Sequence, residues 1–123
     1  MSNEAQQQRS KKMTKRRTKL EWYVVDADGQ DTFTTGLTKK GLKEALEQLA
    51  EWTEEYEGSE LYKSFDPEDE DQLDMRNGIA PRIELYEQTQ YDDGRGWQQE
   101  DCYNYQPEDG GMPKKAQRIW DNR

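Results

Sequence analysis

The 123-residue sequence has no histidine and a single cysteine, Cys102. The first absence removes the usual general base near neutral pH and the commonest metal ligand. The second rules out an intramolecular disulfide. Nothing in the first 25 residues resembles the apolar core of a signal peptide, and no apolar run approaches the roughly 20 residues needed to span a bilayer. A reducing, cytoplasmic location is therefore expected. Aliphatic residues are scarce too. Leu, Ile, Val and Phe number fifteen, well under the roughly one-fifth of a chain below which high net charge goes with disorder. Part of the chain is expected not to fold by itself.

Aromatic residues and charge are what the sequence does supply. Four Trp, seven Tyr and two Phe can each bury about 150–250 Å² if they converge on one face, so a thin aromatic core is expected. The length allows one domain. Residues 1–19 hold seven bases (Arg9, Lys11, Lys12, Lys15, Arg16, Arg17 and Lys19) against Glu4. The remaining 104 residues hold eleven bases and twenty-six acids, so a segment of net +6 precedes one of net −15, together giving −9. This asymmetry predicts a basic, flexible tail over 1–19 and a single acidic domain over 20–123. The seven tail bases are candidate phosphate contacts.

Leu20 to Thr35 predicts a hairpin. A β-branched and aromatic run, Trp22-Tyr23-Val24-Val25, is followed by Asp28-Gly29, which suits the positive φ values of a two-residue type I′ turn. That register pairs Val24 with Phe33 and Trp22 with Thr35, placing Leu20, Trp22, Val24 and Phe33 on one face. A helix follows from about Lys39 to Glu57. Thr38 is its N-cap, Leu37 and Leu42 form a hydrophobic staple, and Gly58 lies just past the end. Leu42, Ala45, Leu46, Leu49, Trp52, Thr53 and Tyr56 line one side and acids the other. Lys39 and Lys40 oppose the helix dipole, which favours acids in the first turn.

Asp66-Pro67-Glu68-Asp69 predicts the opening of a short acidic helix that ends near Asn77-Gly78, with Leu73 and Met75 as inward anchors. Arg82 to Tyr105 predicts a second hairpin about Asp92-Asp93-Gly94. A three-residue loop would put Ile83, Leu85, Trp97, Tyr103 and Tyr105 on one face and Cys102 on the polar one. Beyond a flexible Pro107–Gly111, a terminal helix over Pro113–Trp120 docks Ile119 and Trp120. The expected fold is α+β: a small antiparallel sheet of two hairpins in ββαββ order, the long amphipathic helix packed on it, a short acidic helix in the connection and a short C-terminal helix.

Catalytic and metal motifs are lacking. Asp26–Asp31 has its glycine at the fourth position, where a calcium loop needs it at the sixth. Successive acids in Glu68–Asp71 point in different directions around a helix and do not enclose an ion. Cys102 has no histidine with which to form a catalytic pair. Neither enzymatic activity nor a cofactor is expected.

The strongest functional signal is acidic. Glu44, Glu47, Glu51, Glu54 and Glu55 on one helical face, continued by Asp66, Glu68, Asp69, Glu70, Asp71 and Asp74, present a line of negative charge to a protein with a basic groove. The expected function is a nucleic-acid mimic that occupies and inhibits a larger nucleic-acid enzyme, in the manner of phage and mobile-element inhibitors. The alternative is a nucleic-acid-associated adaptor or assembly protein, whose tail grips phosphate while its domain grips protein.

Overall fold

In the computed structural model, which describes residues 15–123, the chain begins as a long strand, β1 (Lys15–Val25). A turn containing Asp28 and Gly29 leads into β2 (Thr32–Gly36). Both turn residues have positive φ, +57° and +68°, and Val24 pairs with Phe33 and Trp22 with Thr35, as an Asp-Gly hairpin requires. The Asp28 amide also donates to the Ile79 carbonyl at 2.8 Å, tying the turn to the connection between the hairpins.

Helix α1 (Lys39–Glu57) starts where predicted, because Thr38 is extended and its side chain accepts from the Gly41 amide at 2.8 Å. Leu42, Ala45 and Tyr56 are buried on its inner face, and Leu46, Leu49 and Trp52 pack around them. Two short helices follow, α2 (Glu60–Ser64) and α3 (Glu70–Gly78). Strands β3 (Arg82–Asp92) and β4 (Trp97–Tyr105) form the second hairpin, and α4 (Lys114–Asp121) ends the fold.

The two hairpins join into one four-stranded antiparallel sheet of order β2-β1-β3-β4. The central seam is β1 against β3, paired continuously from Lys15↔Asp92 to Val25↔Arg82. Trp22, Val24 and Leu85 of the sheet, Leu42 and Ala45 of α1, and Ala116 and Trp120 of α4 make the core, with Met112 closing it. The α+β architecture matches the expected one.

Several local expectations are corrected. The strand β1 takes in Lys15, Arg16, Arg17, Thr18 and Lys19, which the charge pattern assigned to a tail; pairing with β3 supplies the order that composition does not. Arg9, Lys11 and Lys12 lie outside the described residues. The short helix α2 was not foreseen. Helix α3 opens at Asp69, whose side chain accepts from the Asp71 and Gln72 amides, while Asp66 caps a separate turn by accepting from Glu68. Met75 is 60% exposed: two residues beyond Leu73 is about 200° around a helix, so the two cannot share a face. Pro107 is buried at the start of a 3-10 turn in the segment expected to be flexible.

The second hairpin differs in its loop. Four residues, Asp93 to Gly96, connect Asp92 to its partner Trp97. Asp92 Oδ1 accepts from the Gly94 and Gly96 amides at 2.8 and 3.0 Å, and both glycines have φ near +100°. Glu100 is an extra residue opposite the Thr89/Gln90 step, a bulge that shifts the register of β4. Tyr105 therefore packs on the core with Ile83 and Leu85, and Tyr103 lies on the same side but exposed. Trp97 is turned to the opposite face. Cys102, paired with Gln88, is on the polar face as expected.

Close approach of α1 to β2 depends on Gly41. Thr35 donates to the Gly41 carbonyl at 2.7 Å, and a Cβ at position 41 would run into the Gly36 carbonyl oxygen. Gly41→Ala is expected to cost about 1–3 kcal/mol through this overlap, against a helix-propensity gain of about 1 kcal/mol. Urea unfolding measures the balance, and a midpoint at or above wild type would contradict the tight contact.

Candidate functional site

The burial pattern of α1 decides where its charges go. With Leu42, Ala45 and Tyr56 pressed against the sheet side, Glu44, Glu47, Glu51, Glu54 and Glu55 fall within an arc of about 100° on the opposite side at 3.6 residues per turn. All five are exposed, as are Asp66, Glu68, Asp69, Glu70, Asp71 and Asp74. Among the described residues, none of these eleven acids takes part in an ion pair. Helix geometry spaces Glu44 to Glu55 over about 16 Å, one carboxylate per roughly 4 Å of axis, somewhat wider than the ~3.4 Å per phosphate of one DNA strand.

Helix α3 is tied to the end of α1 by its own C-terminal end, while its acids Asp69, Glu70 and Asp71 lie at its N-terminal end. Tyr56 Oη donates to the Arg76 carbonyl at 2.6 Å, and the Arg76 guanidinium stacks over Tyr62 of α2 at 4.6 Å from the ring centre. Burial, ahead of the opposing field of Arg76, pushes the Tyr56 hydroxyl up in pKa, so it remains a neutral donor.

Charge runs along α1 in the unfavourable direction. The first turn contains no acid and the last no base; Lys39, Lys40 and Lys43 crowd the positive end of the dipole, and Glu54, Glu55 and Glu57 crowd the negative end. The lysines, with Arg123, rim an open groove of about 650 Å³ whose floor includes Leu42 and Leu46. No group of three or more His, Cys, Asp or Glu side chains is placed to hold a metal ion among the described residues, and none of their helices is long and apolar enough to cross a membrane.

The opposite face of the sheet carries a second cluster that the sequence pattern did not disclose. Alternation along β1 turns Lys15, Arg17, Lys19, Glu21 and Tyr23 away from α1. The Arg17 guanidinium lies 3.9 Å over the centre of the Trp97 ring and donates to Gln90 Oε1 at 2.7 Å. Tyr23 and Tyr86 pair across the central seam with ring centres 5.8 Å apart. Tyr86 lies 3.0 Å from Cys102 Sγ. That hydrogen bond, followed by burial, pushes its pKa up to about 12. The four-residue loop, which pairs Trp97 with Asp92, brings Trp97 to this face, and no spacing rule on the sequence alone placed it there.

Glu84 is the buried acid of that face. Desolvation alone would raise its pKa, but hydrogen bonds from Arg82, Asn104 and Gln106 outweigh it and hold the carboxyl below its ordinary value of 4.5. The geometry defines an acidic α+β domain with an acidic helical face on one side and a face of mixed bases and aromatic rings on the other. The chain matches no protein-family model, no curated protein and no solved structure.

Two stability tests arise from these charges. Lys39→Glu with Lys40→Glu is expected to stabilise the fold by about 0.3–1 kcal/mol per site at low ionic strength, the gain shrinking in 1 M salt. A lowered melting temperature would show that these lysines hold the helix by contacts of their own. Glu84 has a depressed folded pKa, so its contribution is complete above the unfolded value and is lost as pH falls through the folded one. The stability difference between wild type and Glu84→Gln should therefore shrink below pH 4.5 in acid-titrated urea curves, and a constant difference would rule this linkage out.

Proposed function

We propose that this protein is an acidic binding protein, a nucleic-acid mimic whose α1 ridge and α3 acids occupy the basic groove of a larger nucleic-acid enzyme and inhibit it. A phage or mobile-element inhibitor, acting against a host defence enzyme in a reducing cytoplasm, is the biological setting we infer. The observation that carries this reading is the placement of the acids: all eleven are exposed and, among the described residues, in no ion pair, and those of α1 crowd the end of the helix where its dipole disfavours them. Selection for stability would not put Glu54 and Glu55 there, whereas Asp69, Glu70 and Asp71 stand at the favourable N-terminal end of α3. Long-range attraction to a positive cleft, followed by charge-assisted pairs with arginines, is the use that such an arrangement serves.

A second reading, the nucleic-acid-associated adaptor, is favoured by the basic run Lys15–Lys19. Because those residues belong to β1, the informative variant keeps the strand and neutralises its outward bases, Lys15→Gln, Arg17→Gln and Lys19→Gln, in a chain that also lacks residues 1–14. Loss of function in that variant supports the adaptor, and retention supports the mimic.

The mimic is tested with the reversal Glu44→Lys, Glu47→Lys, Glu51→Lys and Glu54→Lys. A nucleic-acid enzyme captured from the native host on immobilised protein at low salt should be released at high salt and displaced by heparin. The reversed variant should bind that enzyme at least about 100-fold more weakly, since each lost charge-assisted pair is worth roughly 1 kcal/mol or more and repulsion adds to it. Undiminished binding by the folded variant would end this reading.

A further inference from the structure

We propose that the sheet face turned away from α1 is a binding site for single-stranded nucleic acid, with Trp97, Tyr23 and Tyr86 stacking bases and Lys15, Arg17 and Lys19 holding phosphates. The site lies opposite the acidic ridge and does not rest on the mimic reading.

Its parts are set by strand alternation. Lys15, Arg17 and Lys19 project on one side of β1 beside Asp92, Gln90 and Gln88 of β3. Trp97 of β4 pairs with Asp92 at the same end. Six residues separate Asp92 from Tyr86, about 20 Å along a strand, so the indole and the Tyr23–Tyr86 pair stand at the two ends of a basic strip with amide side chains between them. Trp97 is 40% exposed, and the guanidinium that covers one of its faces is itself a plane on which bases stack.

Two acids lie beside the strip: Asp92 accepts from two loop amides, and Glu21 pairs with Lys19 at 2.6 Å. Lys15 and Arg17 are therefore the leading cations, and Lys19 reaches a phosphate by exchanging it for Glu21. In 0.15 M salt the more distant acids exposed to solvent are screened over about 8 Å.

The combination selects the occupant. Lys15 and Arg17, joined by Lys19, are complementary to phosphate, and the exposed Trp97 ring with the half-buried Tyr23 and Tyr86 is complementary to base faces. A duplex hides its base faces, while heparin and lipid headgroups offer no ring to stack. Nothing in the strip reads the sugar, so DNA and RNA strands are bound alike.

The test uses the full chain and fluorescein-labelled (dT)12 and (U)12, followed by anisotropy at 50–200 mM salt. Both probes should bind within a few-fold of each other, and a duplex of the same length should compete poorly. Trp97→Ala should weaken binding at least about fivefold, the low end for loss of one stacked base, while Trp97→Phe retains it. Arg17→Gln with Lys19→Gln should reduce the slope of log K against log salt by about 1.4, at roughly 0.7 per phosphate contact on a single strand. Glu44→Lys with Glu47→Lys should leave the Trp97 dependence intact, which separates failure here from failure of the mimic. Absence of binding at 50 mM salt would overturn the proposal. So would equal affinity of wild type and Trp97→Ala, or heparin or phosphatidylserine vesicles binding with the same Trp97 dependence. Should Trp97→Ala not fold, the Trp97→Phe and Arg17/Lys19 variants decide alone.

Discussion

The structure depends on one packing contact, Trp22 of β1 held between α1 and Trp120 of α4. Trp22 is fully buried, and its ring lies 6.2 Å from that of Trp120. A chain so poor in aliphatic residues has no other way to exclude water from a sheet of this size, because a large ring covers in one side chain what two smaller ones would otherwise have to cover. The choice has a cost: the Trp22 indole N–H makes no hydrogen bond, a loss of about 1–3 kcal/mol for a buried donor. Dispersion and area burial of the indole have to exceed that penalty.

A core this thin occupies one side of the sheet only. Ala45 and Ala116, both fully buried, let α1 and α4 come close to the strands, and Gly41 does the same at the start of α1. Every charge on α1 is thereby pushed to its outer face. The other side of the sheet receives no helix along Lys15–Lys19 and Gln88–Asp92, so cross-strand pairs on that face are all that order it. The Arg17–Trp97 and Tyr23–Tyr86 pairs are of this kind, and both belong to side chains that would also suit a ligand.

Legibility in the sequence tracked the range of the interactions. Helix α1 was readable because its period, its Thr38 cap and the glycine after it are local signals that agree with one another. The first hairpin was readable because Asp28-Gly29 permits one register. The first five residues of β1 were not: Lys15-Arg16-Arg17-Thr18-Lys19 has a disordered composition, and its strand exists through pairing with Gln88–Asp92, more than seventy residues away. Trp97 was misplaced for a related reason. A loop of four residues where three were expected reverses the face of Trp97, and one extra residue, Glu100, restores that of Tyr103 and Tyr105; the partner of Glu100, Arg16 at 3.1 Å, lies on another hairpin. The eleven acids were readable as exposed because carboxylates rarely go anywhere else; the opposition of the α1 charges to the helix dipole was partly visible in Lys39 and Lys40.

The two charged surfaces are consequences of the same architecture. A two-layer fold has an outer helical face and an outer sheet face, and residues on one are separated from the other by the full thickness of the core, roughly 10 Å between layers. That is well beyond the roughly 4 Å reach of an ion pair, so an acidic ridge and a basic strip coexist without pairing with one another. Had Lys15–Lys19 been a free tail, it would have been drawn onto the acids of α1. Held in β1, with alternate side chains committed to the far side, Lys15, Arg17 and Lys19 are kept away from them. The strand that completes the central seam is thus also what keeps the opposite charges of this molecule apart.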